Sequence, residues 1–318
     1  MPTLLTNRKM DPALVARIEA SLHRRSGHTG RDIYRPNLVA VARALVVIAV
    51  LATVIQVYRT VKASRDRFEA RRTVLLDAAN KLQLSPSERE LLPRAESAVK
   101  QLAASYDGDF LSPEARALDA LLSKPIVYVS GLAADFLGGR PVAIATQEST
   151  KDAFLYCLFD PPAARDEKSL LVKVLDGRSL TMLDQATPNV ILLRDAEGGI
   201  PLLLPSWLDR VKTANSGIAL AQLELAFAKS PVEKAKRAAG ARYLLAVLDE
   251  GLGPTSFDGD RAHDTRVLVF DVALSKLVLR LRRHVDPSFI SASQRRKSSI
   301  ELDQCAIAFD VRAATSTQ

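Results

Sequence analysis

The segment "SFDGDRAHDT" carries the densest set of metal-ligating side chains in the chain. Asp258, Asp260, His263 and Asp264 fall within seven residues, and hard cations favour oxygen-rich loops of this kind. The spacing departs from an EF-hand, because neither the glycine nor the distal bidentate glutamate falls where that loop needs it. Arg261 would also repel a cation. The segment is read as a solvated loop between two strands, and Asp258, Asp260, His263 and Asp264 stand as candidate ligands for a divalent metal. Of the four histidines, two lie near the N-terminus and none is spaced as a metal pair. His284 follows Arg282 and Arg283 and reads as a solvated strand end that discourages sheet stacking.

Other chemistry leaves fainter marks. "YVSGLAADF" has a Ser-Gly pair but lacks the glycine two residues before the serine that a nucleophile elbow needs. "FLGGRP" has two glycines and no Lys-Ser/Thr, so it is not a phosphate loop. No cofactor is expected. Cys157 and Cys305 are the whole cysteine inventory. Each sits among apolar residues, and the first reading is two buried free thiols acting as small hydrophobes; a disulfide is the alternative if the domain lies outside the cytoplasm. Carboxylates scattered along a sequence leave no local motif, so a hydrolase using dispersed Asp and Glu residues stays open beside a non-catalytic reading.

The elements that would position these groups form a mixed α+β domain over residues 125–318, expected to have a largely antiparallel sheet with helices on one face. "IVYVSG", "PVAIAT", "AFLYCLF", "SLLVKVLDG", "NVILLRD" and "IPLLLP" read as strands, several buried on both faces because alternation is poor. "DAEGG" between two of them reads as a hairpin-like turn. "PSWLDRVKTANSGIALAQLELAFAK" and "SPVEKAKRAAG" read as helices, the second with a capping box from Ser230 and Glu233. "ARYLLAVLDEG", "TRVLVFDVA" and "KLVLRLRRHV" are strands, the last two joined by a tight turn near Leu274 and Ser275. "SSIELDQCAIAFDVRAA" closes the chain as a helix, with a capping box from Ser298 and Glu301 and an apolar face of Leu302, Cys305, Ala306, Phe309 and Ala313.

Ahead of this domain, residues 59–124 read as a helical stalk. Val54, Val61, Phe68, Leu75 and Leu82 recur every seven residues, while the intermediate Val57, Ser64, Arg71 and Ala78 are only half apolar. The preferred reading is an amphipathic helix packed on the next helix of its own chain; a coiled-coil seam that makes a homo-oligomer is the alternative. Ser85 with Glu88 forms a capping box, Ser112 starts a second helix ahead of a proline, and "YDGD" between them is a turn. A fragment beginning near Ser112 is expected to fold alone.

Residues 37–58 read as a transmembrane helix. Leu38 to Val57 is apolar apart from Arg43 and Gln56, and as a helix it is roughly 30 Å long, the thickness of a hydrocarbon core. No small-residue cleavage site follows, no polar stripe suits a soluble helix, Arg43 can snorkel, and Tyr58 marks an interface. Residues 1–36 are a basic tail. Up to Asn80 the chain has fourteen Lys and Arg against six Asp and Glu, and beyond it thirty of each, so the net +8 flanks the span. Such flanks are attracted to anionic lipid headgroups. Aromatics make up 5% and do not alternate with basic residues, which argues against nucleic acid as a partner. Arg24, Arg25, Arg31 and Arg35 precede the span, whereas Arg59, Lys62, Arg65, Arg67, Arg71 and Arg72 follow it. Counted literally, this favours a cytoplasmic C-terminus. Exporting a basic tail is the harder task, and large domains cross largely regardless of charge, so the favoured reading is a signal-anchor with the domain outside.

"AGARYLLAVLDEG" followed by "TRVLVFDVALSKLVLRLR", Ala239 to Arg282, resembles part of the bacterial envelope domains of the TolB N-terminal and CsgG-like kind. Those domains carry a "gAdyll" strand and then two strands around "D-x-x-tGk". Ala241 to Asp249 matches the first strand and Asp271 with Lys276 the hairpin, with "ALSK" in place of the glycine-containing turn. The resemblance implies an extracytoplasmic binding or assembly domain in a bacterial inner-membrane protein, acting on a protein partner and without catalysis.

Overall fold

In the computed structural model of the chain, residues 12–26, 38–138, 141–177, 180–250 and 262–316 are described. They divide into two units, Met1–Glu69 and Ala70–Gln318. The first holds a helix over Pro12–Ser26 and most of a continuous helix over Leu38–Lys81. From Val39 this second helix is long and apolar enough to cross a membrane, and its most apolar stretch is entirely unburied. Within it Thr53 and Thr60 donate to the carbonyls of Ala49 and Val57, both at 2.8 Å.

The second unit begins at Ala70, so it takes in most of the residues expected as a stalk together with residues 125–318. Leu75 and Ala79 are buried, and helix Leu91–Ala104 sends Leu91, Ala95, Ala98, Val99, Leu102 and Ala103 into the core. The reason is legible in that helix, whose apolar residues recur at three- and four-residue spacing and need a partner surface. Ser85 caps the short helix Pro86–Arg89, with the Glu88 side chain returning to the Ser85 N–H at 2.6 Å. Ser112 accepts from the Ala115 N–H at 3.3 Å and starts a 3-10 helix over Pro113–Ala117 that leads into the short helix Leu118–Leu122.

Six strands form one mixed sheet: β1 Phe110–Leu111, β2 Ile126–Leu132, β3 Val190–Leu192, β4 Tyr243–Asp249, β5 His263–Asp271 and β6 Lys276–Val285. The order is β1-β6-β5-β4-β2-β3. The β1/β6, β6/β5 and β5/β4 pairs are antiparallel; β4/β2 and β2/β3 are parallel. Ser275 takes a positive φ of 51° in the tight turn between β5 and β6.

Helices cover both faces, not one. One face packs Ile126, Tyr128, Leu245 and Val267 against helices Ala153–Phe159, Glu167–Gly177 and Ala292–Ser316. The other packs Val127, Val129, Leu244 and Ala246 against helices Leu91–Ala104, Ala133–Leu137, Leu193–Gly199 and Val232–Ala239. Strands buried on two sides cannot alternate apolar with polar, which is the pattern of "IVYV" and "YLLAVL".

Several apolar runs expected as strands are helices. "PVAIAT" contains helix Val142–Ala145, "AFLYCLF" is helix Ala153–Phe159, and "SLLVKVLDG" lies within helix Glu167–Gly177. "NVILLRD" is a strand only to Leu192, "DAEGG" is helical, and "IPLLLP" holds a 3-10 turn over Ile200–Leu203. Ala153–Phe159 is buried from Phe154 to Leu158, and Val142–Ala145 and Glu167–Gly177 carry exposed apolar residues (Ile144, Val172, Leu175), so period alone does not separate these runs from buried strands. Helix Val232–Ala239 begins one residue later than expected, with Pro231 at its N-cap and no side-chain cap from Ser230. The closing helix runs from Ala292 to Ser316 and breaks at Ser298 (φ −150°), the residue expected to start it.

Tyr106 fixes the connector before β1 to the sheet. The guanidinium groups of Arg266, Arg280 and Arg282 lie 6.0, 5.6 and 5.9 Å from its ring centroid, within cation–π range. Its hydroxyl donates to Asp109, which also takes Arg283 at 2.8 Å.

Candidate functional site

Asp258 and Asp260 lie outside the described residues. His263 and Asp264 are consecutive in β5, so their side chains leave opposite faces of the sheet. Asp264 pairs instead with His284 Nδ1 at 2.7 Å and Arg282 at 2.8 Å, which gives His284 a partner across the strands. Among the described residues no group of three His, Cys, Asp or Glu side chains is placed to hold a metal ion.

A different polar cluster lies where the parallel strands end. The pairings Tyr128↔Leu245, Ser130↔Val247 and Leu132↔Asp249 put Tyr128, Ser130 and Asp249 on one face at the carboxyl ends of β2 and β4, the region where open α/β sheets bind ligands. Asp152 stands at the N-cap of helix Ala153–Phe159, accepting the Leu155 N–H at 3.2 Å and the Tyr128 hydroxyl at 2.7 Å. Ser149 accepts the Ser130 N–H at 2.9 Å. Asp249 accepts the hydroxyl of the fully buried Thr265 at 2.6 Å. Asp303 reaches the same region from the closing helix; it is 1% exposed and neither carboxylate oxygen has a hydrogen-bond partner.

Burial raises all three carboxyls, because removing a carboxylate from water favours its neutral form. Asp303 is pushed up to about 7, with the Asp249 charge adding to burial and Arg165 opposing it. Asp152 is pushed up to about 6 by burial, against the hydrogen bonds from Tyr128 and Leu155. Asp249 is raised by burial, against the Thr265 hydrogen bond and the His263 charge. Arg165 is directed to Asp310 at 2.8 Å, which leaves Asp303 without an ion-pair partner among the described residues. A carboxyl that titrates near neutrality can hold or release a proton in general acid–base work if a substrate reaches it.

Signals for these residues existed. Asp152 precedes an apolar run as an N-cap does, and Asp249 closes an apolar strand. Asp303 had no visible signal, because its burial follows from the closing helix being enclosed on nearly every side.

Cys157 and Cys305 form a disulfide, so the reading as two free thiols is corrected. Both are fully buried, and the bond ties helix Ala153–Phe159 to the closing helix across 148 residues of sequence. The two apolar settings that made each cysteine look like a simple hydrophobe are the two sides of one helix contact. No protein-family model, curated protein or solved structure matches the chain.

Proposed function

We propose that the chain is a single-pass protein of a bacterial inner membrane, whose domain lies on the extracytoplasmic side and acts by binding a partner, without catalysis. The observation that carries this reading is the buried Cys157–Cys305 bond, because disulfides persist in oxidising compartments and are rare in the cytosol. The apolar helix supplies the anchor, as an uncleaved signal-anchor, and the basic residues on its flanks meet anionic headgroups. The likeness of Ala239 to Arg282 to envelope domains agrees with the same placement. A homo-oligomer through the stalk would have to use Val54 and Val61, since Leu75 is buried within the domain's own unit.

The test is made in intact cells. A reporter active only after export, fused after Gln318, is expected to be active, and thiol alkylation before and after reduction is expected to label Cys157 and Cys305 only after reduction. An inactive exported reporter, with a cytoplasmic reporter active at the same junction, would overturn the placement.

One observation favours a second reading, a tethered hydrolase: Asp152, Asp249 and Asp303 converge with raised proton affinities. Hydrolysis of a panel of esters and glycosides that disappears in Asp303→Asn, with the melting temperature of that variant at least that of the wild type, would select it over the binding reading.

A further inference from the structure

A cleft of about 630 Å³ opens between helices Pro205–Thr213 and Gly217–Lys229, within the second unit. That volume lies in the range of small-molecule sites. On the second helix Ala219, Gln222, Leu223 and Ala226 share one face at three- and four-residue spacing, and the two alanines leave room between the helices. Along the first helix the lining passes from Leu204 and Trp207 to Arg210, and Asn215 follows in the connector. The wall thus grades from apolar to polar. Among the described residues no carboxylate lines the cleft, and Arg210 is its one charged side chain. The neighbouring Asp209 is taken by Lys212 at 3.2 Å. Arg210 makes no ion pair or side-chain hydrogen bond with any described residue, and neither Asn215 nor Gln222 makes a side-chain hydrogen bond. Trp207 is 4% exposed and stacks on Phe227 with ring centroids 5.2 Å apart. Its indole N–H meets no acceptor among the described residues, although a buried indole N–H ordinarily finds one. The cleft therefore combines an apolar floor with a positive charge and donors that the fold leaves unused.

We propose that this cleft binds an amphiphile with one apolar tail and an anionic head, the tail lying on Leu204, Trp207, Leu223 and Ala226 and the head on Arg210. The guanidinium fork matches a carboxylate or a phosphate, and Asn215 and Gln222 supply neutral donors from the same lining. Removing the tail from water drives binding, and the arginine selects the sign of the head. A free fatty acid and an anionic bilayer lipid share this chemistry. The inference goes beyond the reading of the domain as a partner-binding module and depends neither on that reading nor on the side of the membrane.

The experiment uses the full chain reconstituted in phosphatidylcholine vesicles. Trp207 is the one tryptophan of the chain, so indole fluorescence reports this cleft directly, and bromine at the end of a fatty-acid tail quenches it on contact. Saturable quenching by tail-brominated laurate is expected, competed by laurate but not by dodecanol, dodecyltrimethylammonium or acetate. Arg210→Gln is expected to weaken binding at least tenfold. Ala226→Phe, which fills the apolar end from the other helix, is expected to abolish quenching. Both positions are exposed, and an unchanged melting temperature verifies the fold of each variant. Vesicles that contain phosphatidylglycerol with brominated acyl chains separate the two sources. Quenching there names bilayer lipid as the occupant, while quenching by the free acid alone names a soluble amphiphile, and either result upholds the site. Equal competition by dodecanol, quenching that either variant leaves unchanged, or no saturable quenching by either probe would overturn it.

Discussion

Asp303 is the group in the domain whose environment conflicts most with its chemistry. In the unfolded chain its carboxyl titrates at about 4; in the folded domain it does so at about 7. The folded state therefore holds the proton more tightly, and between those values it binds a proton that the unfolded state has released. The stability this carboxyl contributes is fully present below about pH 4 and is lost as pH rises, by up to about 1.4 kcal/mol per pH unit, until the folded carboxyl ionises near pH 7. Asp152, raised to about 6, adds slope in the same direction over the lower part of that window. Asp303→Asn is expected to raise the melting temperature at pH 8 and to flatten its dependence between pH 5 and 7, read by circular dichroism on the full chain. An unchanged slope would place the titration elsewhere. Local residue spacing carries none of this. The acids that converge are spread from residue 152 to residue 303, and only the crossing of β2, β4 and the closing helix brings them to one end of the sheet.

Elements show where a sequence pattern is enough and where it is not. The β4-β5-β6 meander and the closing helix could be read directly, since long periodic runs with clear stops leave little choice. The short helices between β2 and β3 could not: Ala153–Phe159 is buried over five successive residues, and Glu167–Gly177 carries apolar Val172 and Leu175 on its exposed side, so neither shows a helical period. Helix packing between β3 and β4 is close enough to test. A Cβ at Gly199 would fall inside the van der Waals surface of Ala235 and close to the Pro231 carbonyl, so helices Leu193–Gly199 and Val232–Ala239 meet on a bare backbone. Gly199→Ala is expected to cost about 1–3 kcal/mol in urea unfolding, as overpacked sites do, and Ala235→Gly in the same chain is expected to restore part of that loss; no recovery would mean that these helices do not meet there. The disulfide belongs to the same scale. Closing a loop of 148 residues is worth roughly 5 kcal/mol in the chain-entropy account. The pair Cys157→Ala and Cys305→Ala is expected to lower the urea midpoint sharply, and reduction of the wild type should lower it by a similar amount.

For the whole molecule, the compact unit from Ala70 onward bears on which pieces can stand alone. A fragment starting near Ser112 lacks helix Leu91–Ala104 and so exposes the face it covers; it is expected to aggregate. A fragment of residues 70–318 retains the complete second unit and is expected to stay monodisperse in size-exclusion chromatography, and the reverse result would return the boundary to Pro125. In the first unit, Leu51→Arg is expected to release the chain from carbonate-washed membranes, because a charge near a span's centre costs about 2.5–3.5 kcal/mol on insertion scales. Arg43→Leu should be retained like the wild type. The position of the disulfide also has a consequence in time. Cys157 is synthesised 148 residues before Cys305, an interval of roughly 7–30 s at ordinary ribosome speed. Throughout it, helix Ala153–Phe159 waits beside an unfinished sheet with its thiol unmatched. Helix Ala292–Ser316 supplies the partner, so a nascent chain arrested before Cys305 carries all six described strands of the sheet and still presents a reactive sulfur to any oxidant or foreign thiol it meets.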